Sequence, residues 1–271
     1  MKLYLAGTYS RDYCVKEAMK LYLAGNYPGN REKGDFIEVA RRPGELYILE
    51  SFYYIRDATW LSKMIPLFKG FMLDSGAFTY MQERGKGGGV DWNKYIDEYA
   101  DFIKHHSIEL FLELDIDSVV GVSEVIRLRK RLEKRVGRPC IPVFHRSRGR
   151  ASWMDMLKSH PYVAIGGIVT REFKRKEHHL FSWFIKTAHD ANRKIHGLGY
   201  TNLTGLSTMP FDSVDSTAWL YGNRGGFVYL FNGKSLTKRK CPTGMKLNSR
   251  ETAIHNFNEW VKFQKYAEAF L

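Results

Sequence analysis

Short apolar runs that stop at a polar residue or a glycine recur down this chain, with helical patterns between them. Phe71-Met-Leu73 runs into Asp74-Ser-Gly-Ala77, Leu110-Phe-Leu-Glu-Leu114 into Asp115, and Ile141-Pro-Val-Phe144 into His145. Val163-Ala-Ile165 meets Gly166-Gly167, Ile195 meets His196-Gly197, and Phe211 to Val214 holds Asp212 and leads into Asp215. Apolar strands that end in polar residues or glycine are the pattern of an α/β enzyme with its site at that edge. Asp91 caps a helix predicted through about His106, whose buried stripe is Trp92, Tyr95, Ile96, Tyr99, Phe102 and Ile103.

From there the alternation is regular. Strand Glu109–Leu114 precedes helix Ser123–Val136, strand Cys140–Phe144 precedes helix Ala151–Ser159, and strand Tyr162–Ile165 precedes helix Lys176–Arg193. Strand Lys194–Leu198 leads through a glycine-containing connection to strand Phe211–Val214. Upstream, Lys2–Ala6 reads as the first strand and Ser10–Leu23 as a helix closed by Gly25-Asn26. Residues 27–44 read as a loop, Tyr47–Tyr54 as β-prone, Arg56–Leu67 as a short amphipathic helix, Gly70–Leu73 as a strand, and Gln82–Gly89 as a basic glycine-rich loop. The octets KLYLAGTY at Lys2–Tyr9 and KLYLAGNY at Lys20–Tyr27 nearly repeat, too briefly for a repeat architecture.

Eight β units alternating with helices over ~250 residues predict an α/β fold, a (β/α)8 barrel of the TIM type. An open doubly wound sheet is the alternative, but no GxGxxG follows the first strand. Gly226–Phe231 and Ser235–Lys240, joined by Asn232-Gly233, predict a hairpin, and a last helix spans about Ser249–Phe270. The whole chain, 1–271, is thus expected to be one barrel domain with a basic hairpin and terminal helix at about 226–271.

Composition narrows the class. Hydrophobic residues at 44% and charged residues at 26% suit a soluble globular protein. No run reaches membrane-spanning length, and Met1–Ala6 is too short for a secretion signal. Cys14, Cys140 and Cys241 are dispersed without a CxxC pair, which argues against a disulfide framework or zinc site and for reduced thiols in the cytoplasm. A formal net charge of +13 points first to a nucleic-acid partner.

Asp74, Asp115, Asp212 and Asp215 all fall at predicted strand ends, the catalytic edge of such a barrel. Each alone is explained as a cap for the next helix; together they fit acid/base or covalent work. A metal site built from these carboxylates with His145 and His196 has no tight ligand spacing to support it. Gly166-Gly167 either lets a planar ligand approach the backbone or serves a tight turn needing positive φ. The cations of helix Ser123–Val136 form a solvated outer face, whereas Arg146, Arg148, Arg150, Arg171, Lys174, Arg175 and Lys176 share the edge with the acids. Phosphates passing over an acidic pocket would need that arrangement.

Over roughly residues 70 to 225 the motifs, in this order, resemble the tRNA-guanine transglycosylase superfamily. Asp74-Ser-Gly-Ala-Phe78 is similar to its DSGG-aromatic motif, Leu112-Glu-Leu-Asp115 to its base-reading acid, and Ala164-Ile-Gly-Gly-Ile168 to its AIGGL segment. His196-Gly-Leu-Gly199 resembles its MGVG turn, and Val214-Asp-Ser-Thr-Ala-Trp219 its nucleophile segment. The resemblance implies Asp215 as nucleophile, with Asp212 the competing assignment, and Asp74 as general acid/base. It implies Asp115 as reader of the guanine edge, Gly166 and Gly167 as backbone contacts to the base, and Phe78 and His196 as stacking walls. Ala77 stands for the motif's second glycine, His145 for a base-contacting glutamine, and His196 for a stacking methionine. The family's zinc module has no counterpart.

A short, basic, zinc-free chain resembles most the DpdA-like DNA 7-deazaguanine transglycosylases of phages and bacteria. The implied function is exchange of guanine in DNA for a base such as 7-cyano-7-deazaguanine through a covalent Asp-glycosyl intermediate. Neither metal nor other cofactor is implied. The partners would be DNA and the free base, with no membrane and a possible homodimer, in the cytoplasm (the host's, if phage-encoded). The alternatives are the same chemistry on tRNA, a non-catalytic nucleic-acid-binding relative, and an unrelated barrel enzyme on a small anionic substrate.

Overall fold

Among the described residues, the first strand is formed by the second copy of the near-repeat. A computed structural model describes residues 18–24, 39, 41–58, 62–77, 79–80, 89–168, 170–200, 205–221, 226–242 and 248–271. The strand expected at Lys2–Ala6 lies outside them. Where a helix was expected to end, Lys20–Ala24 forms strand β1. Its residues explain the correction. Leu21 and Leu23 join the layer between strands and helices, whereas Tyr22 and Ala24 face a separate inner cluster. A run buried on both faces carries no alternation, so its periodicity does not distinguish strand from helix.

β2 (Tyr47–Ser51) passes directly into a single helical turn, α1 (Phe52–Ile55). The amphipathic helix expected over Arg56–Leu67 is not continuous: a turn occupies Arg56-Asp57 and a 3-10 turn Ile65–Leu67. Pro66 has no N–H to give such a helix. β3 (Gly70–Asp74) is followed by α2 (Trp92–His105), β4 (Leu110–Phe111), α3 (Asp117–Val120) and α4 (Val122–Val136). Next come β5 (Val143–Phe144), α5 (Gly149–Ser159) and β6 (Tyr162–Ile165). The predicted helix Lys176–Arg193 divides into a 3-10 segment, Arg175–Leu180, and α6 (Phe181–Asp190). β7 (Lys194–Gly197) and β8 (Ser213–Ser216) complete the sheet.

All eight strands are parallel, in the order β4-β3-β2-β1-β8-β7-β6-β5. The sheet curls, and its two ends meet at one parallel bridge, Leu112 to Ile141. Ile141 N–H donates to Phe111 O at 2.8 Å, and Glu113 N–H to Ile141 O at 3.0 Å. The concave face gathers Tyr22, Tyr47, Leu49, Met72, Leu112, Val143 and Ala164 from strands all around the curl. The convex face carries the larger core, in which Tyr95, Ile96, Tyr99 and Ile103 of α2 pack. Asp91 caps α2 by accepting the Lys94 N–H at 3.0 Å. The Tyr99 hydroxyl lies 3.0 Å from the carbonyls of both Leu73 and Leu112, tying the helix to the ends of two strands.

The C-terminal elements match expectation. β9 (Phe227–Phe231) and β10 (Leu236–Lys240) form the antiparallel hairpin, and α7 spans Ser249–Phe270. α7 satisfies strand groups that would otherwise be orphaned. Asn256 accepts the Tyr229 N–H at 2.8 Å, and Glu259 accepts that of Phe231. The buried Gln264 amide donates to Leu21 O at 2.7 Å and Tyr47 O at 3.0 Å, closing the N-terminal ends of β1 and β2. No helix among the described residues is long and apolar enough to cross a membrane.

Candidate active site

β3, β4 and β8 bring three carboxylates to the C-terminal edge of the sheet. Asp74 ends β3, and the turn behind it is built around Gly76. Gly76 has φ +64°, donates its N–H to Asp74 Oδ2 at 3.0 Å, and would place a Cβ 2.3 Å from Ser51 Oγ. Only glycine fits there. Tyr95 of α2 donates its hydroxyl to Ser75 O and braces the turn from behind.

Burial pushes the Asp74 carboxyl up to about 7; the Gly76 N–H opposes this, and the nearby charges of Asp115 and Asp215 push the same way. Asp74 therefore lies within electrostatic reach of both other acids. A carboxyl near 7 is poised to give and take a proton at neutral pH. It also links stability to pH. Because the folded value lies above the unfolded one near 4, its contribution is complete below pH 4 and lost as pH rises through 7. Asp74→Asn removes that loss. Compared with wild type, the variant is expected to gain about 1–3 kcal/mol between pH 4 and pH 8, read by urea denaturation at both. A difference that does not change with pH would remove Asp74 from this role.

Asp215 lies inside β8, one strand position beyond where the sequence pattern ended the strand. It is 6% exposed. Gly199, at φ +70°, donates its N–H to Asp215 Oδ1 at 2.6 Å, and His196 Nε2 stands 3.2 Å from the same oxygen. Asp212 goes elsewhere. It precedes β8 at the opposite, N-terminal end, where Oδ2 accepts the Ile195 N–H at 2.8 Å and meets His189 Nε2 at 3.0 Å. This sets Asp212, the competing candidate for nucleophile, apart from the other acids: it ties the start of β7 to α6.

His145 follows β5 and is clamped between two acids. Nδ1 meets Glu172 Oε1 at 2.9 Å, and Nε2 bonds Asp115 Oδ1. Burial pulls this imidazole down, but the hydrogen bonds and charges of Asp115 and Glu172 outweigh it and raise the group to about 9. At neutral pH the clamp is an imidazolium between carboxylates. Gly166 and Gly167 are small for this reason. A Cβ on Gly166 would lie 2.9 Å from His145 Nε2, and Gly167, at φ +74°, would drive one to 2.9 Å from Glu172. The Gly166 N–H bonds Phe144 O, and the Gly167 carbonyl accepts the Glu172 N–H. The glycine pair accommodates the clamp, which favours the tight-turn explanation over direct approach of a ligand.

His196 is placed differently from the stacking wall expected of it. Its ring is 0% exposed and held at both nitrogens, by Ser213 Oγ and by Asp215. Phe78, the other expected wall, lies outside the described residues.

The expected phosphate-binding cations separate into two kinds. Arg148 has a side chain only 1% exposed and meets Glu113 Oε1 at 2.9 Å and Asp117 Oδ1 at 2.6 Å. It is a structural cation, and its place in the nucleic-acid path is corrected. Arg146 and Arg150 are exposed; Arg146 pairs with Glu177 at 2.9 Å, and Arg150 covers the Trp183 ring at 5.2 Å. Arg171 and Lys174 are exposed on the loop after β6, and the side chain of Arg175 lies outside the described set.

Sequence reasoning missed Glu113, Glu172, Tyr162 and Ser213. Glu113 alone left a signal, a charge inside an apolar run. It is 0% exposed, accepts the Val143 N–H at 2.7 Å, and burial holds its carboxyl above the usual range against Arg148 and Arg129. Among the described residues no His, Cys, Asp or Glu group is arranged to hold a metal ion. No protein-family model matches the chain, and no match is found among curated proteins.

Proposed function

We propose that this chain is a (β/α)8 barrel that exchanges guanine in DNA for a 7-deazaguanine base, such as 7-cyano-7-deazaguanine. The observation that carries the reading is the convergence of Asp74, Asp115 and Asp215, electrostatically coupled at the C-terminal ends of β3, β4 and β8. The bridge between Leu112 and Ile141 and the inner-face cluster support barrel closure. Arg146, Arg171 and Lys174, exposed on the connections after β5 and β6, and Arg150, exposed in the first turn of α5, suit a phosphate backbone, as does the net charge of +13.

The chemistry follows from the three positions. An Asp215 oxygen forms a bond to C1′ of the target nucleotide while the C1′–N9 bond breaks and its electron pair leaves with guanine. Asp74, raised to about 7 by burial, supplies the proton that neutralises the departing base. The incoming base then gives its N9 proton to Asp74 and attacks C1′, and the ester to Asp215 breaks. Protons and bonds balance without an external oxidant or reductant. Asp115 accepts hydrogen bonds from the N1–H and amino group of the base. The nucleotide must leave its stack to reach this pocket.

The test uses duplex DNA, single-stranded DNA and tRNA, each carrying radioactive guanine, incubated with the protein and 7-cyano-7-deazaguanine. Release of guanine from DNA alone is the expected result. Release from tRNA alone would assign the chemistry to RNA, and release from none would overturn the proposal.

A further inference from the structure

Asp215 is served by a buried hydrogen-bond chain in which the motif residue His196 is joined by Ser213 and Tyr162, which lie outside the motifs. His196 and Ser213 are register partners on β7 and β8, so their side chains leave the sheet side by side. Both are 0% exposed. Ser213 Oγ contacts His196 Nδ1 on one side and lies 2.6 Å from the Tyr162 hydroxyl on the other. The Tyr22 ring packs against the His196 ring in a T-shaped arrangement, centroids 6.2 Å apart.

An ionised carboxylate only accepts hydrogen bonds, so the nitrogen facing Asp215 must carry the proton. In a neutral ring Nδ1 is then the acceptor, the Ser213 hydroxyl donates to it, and Ser213 Oγ is left to accept from Tyr162. Every bond in the chain thus runs one way, from Tyr162 through Ser213 and His196 to Asp215. A buried histidine needs hydrogen-bond partners in any fold. That need does not explain why Nε2 and the Gly199 N–H converge on the same oxygen, Oδ1. Among the described residues both donors reach Oδ1 and none reaches Oδ2.

We propose that His196 is a positioning residue for Asp215: with Ser213 and Tyr162 behind it, its Nε2–H anchors Oδ1 and leaves Oδ2 as the oxygen that attacks C1′. The inference rests on the reading of Asp215 as a nucleophile. Rotating the carboxylate would break two bonds at once, so a single attacking geometry is kept.

Two measurements on the full chain test it. Protein labelled with 15N-histidine, with His196 assigned by the signals that vanish in His196→Gln, is expected to show the Nε2-protonated tautomer at neutral pH. An Nδ1-protonated ring would overturn the chain. In single-turnover guanine release, His196→Gln keeps an amide donor and is expected to stay within about threefold of wild type. His196→Leu is expected to fall about a hundredfold in rate with KM for DNA unchanged. Equal losses in both variants, or a loss expressed in KM, would overturn the positioning role. The tautomer needs no substrate, so wild type that releases no guanine would count against the transglycosylase reading alone. Should His196→Leu fail to fold, the tautomer and the glutamine variant still decide.

Discussion

Asp215→Asn is expected to reduce guanine release at least about a thousandfold while leaving DNA affinity within about twofold of wild type. Asparagine keeps the shape of the side chain and can still accept the Gly199 N–H now received by Oδ1 at 2.6 Å. Little of the loss can therefore be assigned to misfolding. What disappears is the charge and the nucleophilic oxygen, and no described neighbour can replace either. Burial raises Asp74 to about 7, which disfavours its ionised form, and an oxygen of Asp115 is bonded to His145. A glycosyl-enzyme adduct, trapped after denaturation and located by peptide mass analysis, should map to Asp215 in wild type and be absent from the variant. Asp212→Asn supplies the contrast. Its carboxylate binds the Ile195 N–H and His189 at the N-terminal end of β8, so a modest loss of stability with base exchange retained is expected. An adduct on Asp212 would reverse the assignment.

Arg148→Ala is expected to destabilise the fold by about 3–5 kcal/mol, whereas Arg146→Ala and Arg150→Ala should each cost within about 1 kcal/mol. The three arginines look equivalent in the sequence and differ in what surrounds them. Arg148 lies between Glu113, 0% exposed, and Asp117, 9% exposed, and Arg129 reaches the other Glu113 oxygen at 3.3 Å. Removing Arg148 strands Asp117 and leaves Glu113 with Arg129 alone, and an uncompensated buried charge is the expensive outcome. If that is the cause, adding Glu113→Gln to Arg148→Ala should recover part of the loss, because it removes one stranded charge. Urea denaturation of the single and double variants decides it. DNA binding should rank the other way: charge reversal at Arg146 and Arg150 lowers affinity and flattens its salt dependence in folded protein.

The positions at which sequence reasoning failed share a physical cause. Lys20–Ala24 and the start of β8 are buried on both faces, and such runs lack the alternation that marks a strand and its ends. That is why Ser213–Ser216 begins later than Phe211, which moves Asp215 into the strand and Asp212 to the opposite end of the sheet. His145 and His196 were legible as polar residues at strand ends. Their partners were not, because Glu172 lies 27 residues from His145, and Asp215 lies 19 from His196.

Taken alone, the sequence determined the alternation of strands and helices, the hairpin and the last helix, and the strand ends where Asp74, Asp115 and Asp215 sit. Those features are local: apolar periodicity, capping residues and turn glycines act over a few positions. Only the tertiary structure decided which of Asp212 and Asp215 meets the other acids and which arginine is a buried strut. It also decided that His196 supports a carboxylate from within the sheet. Each of these depends on strand register and on burial, through which residues distant in the chain come to share one desolvated space and shift one another's charge.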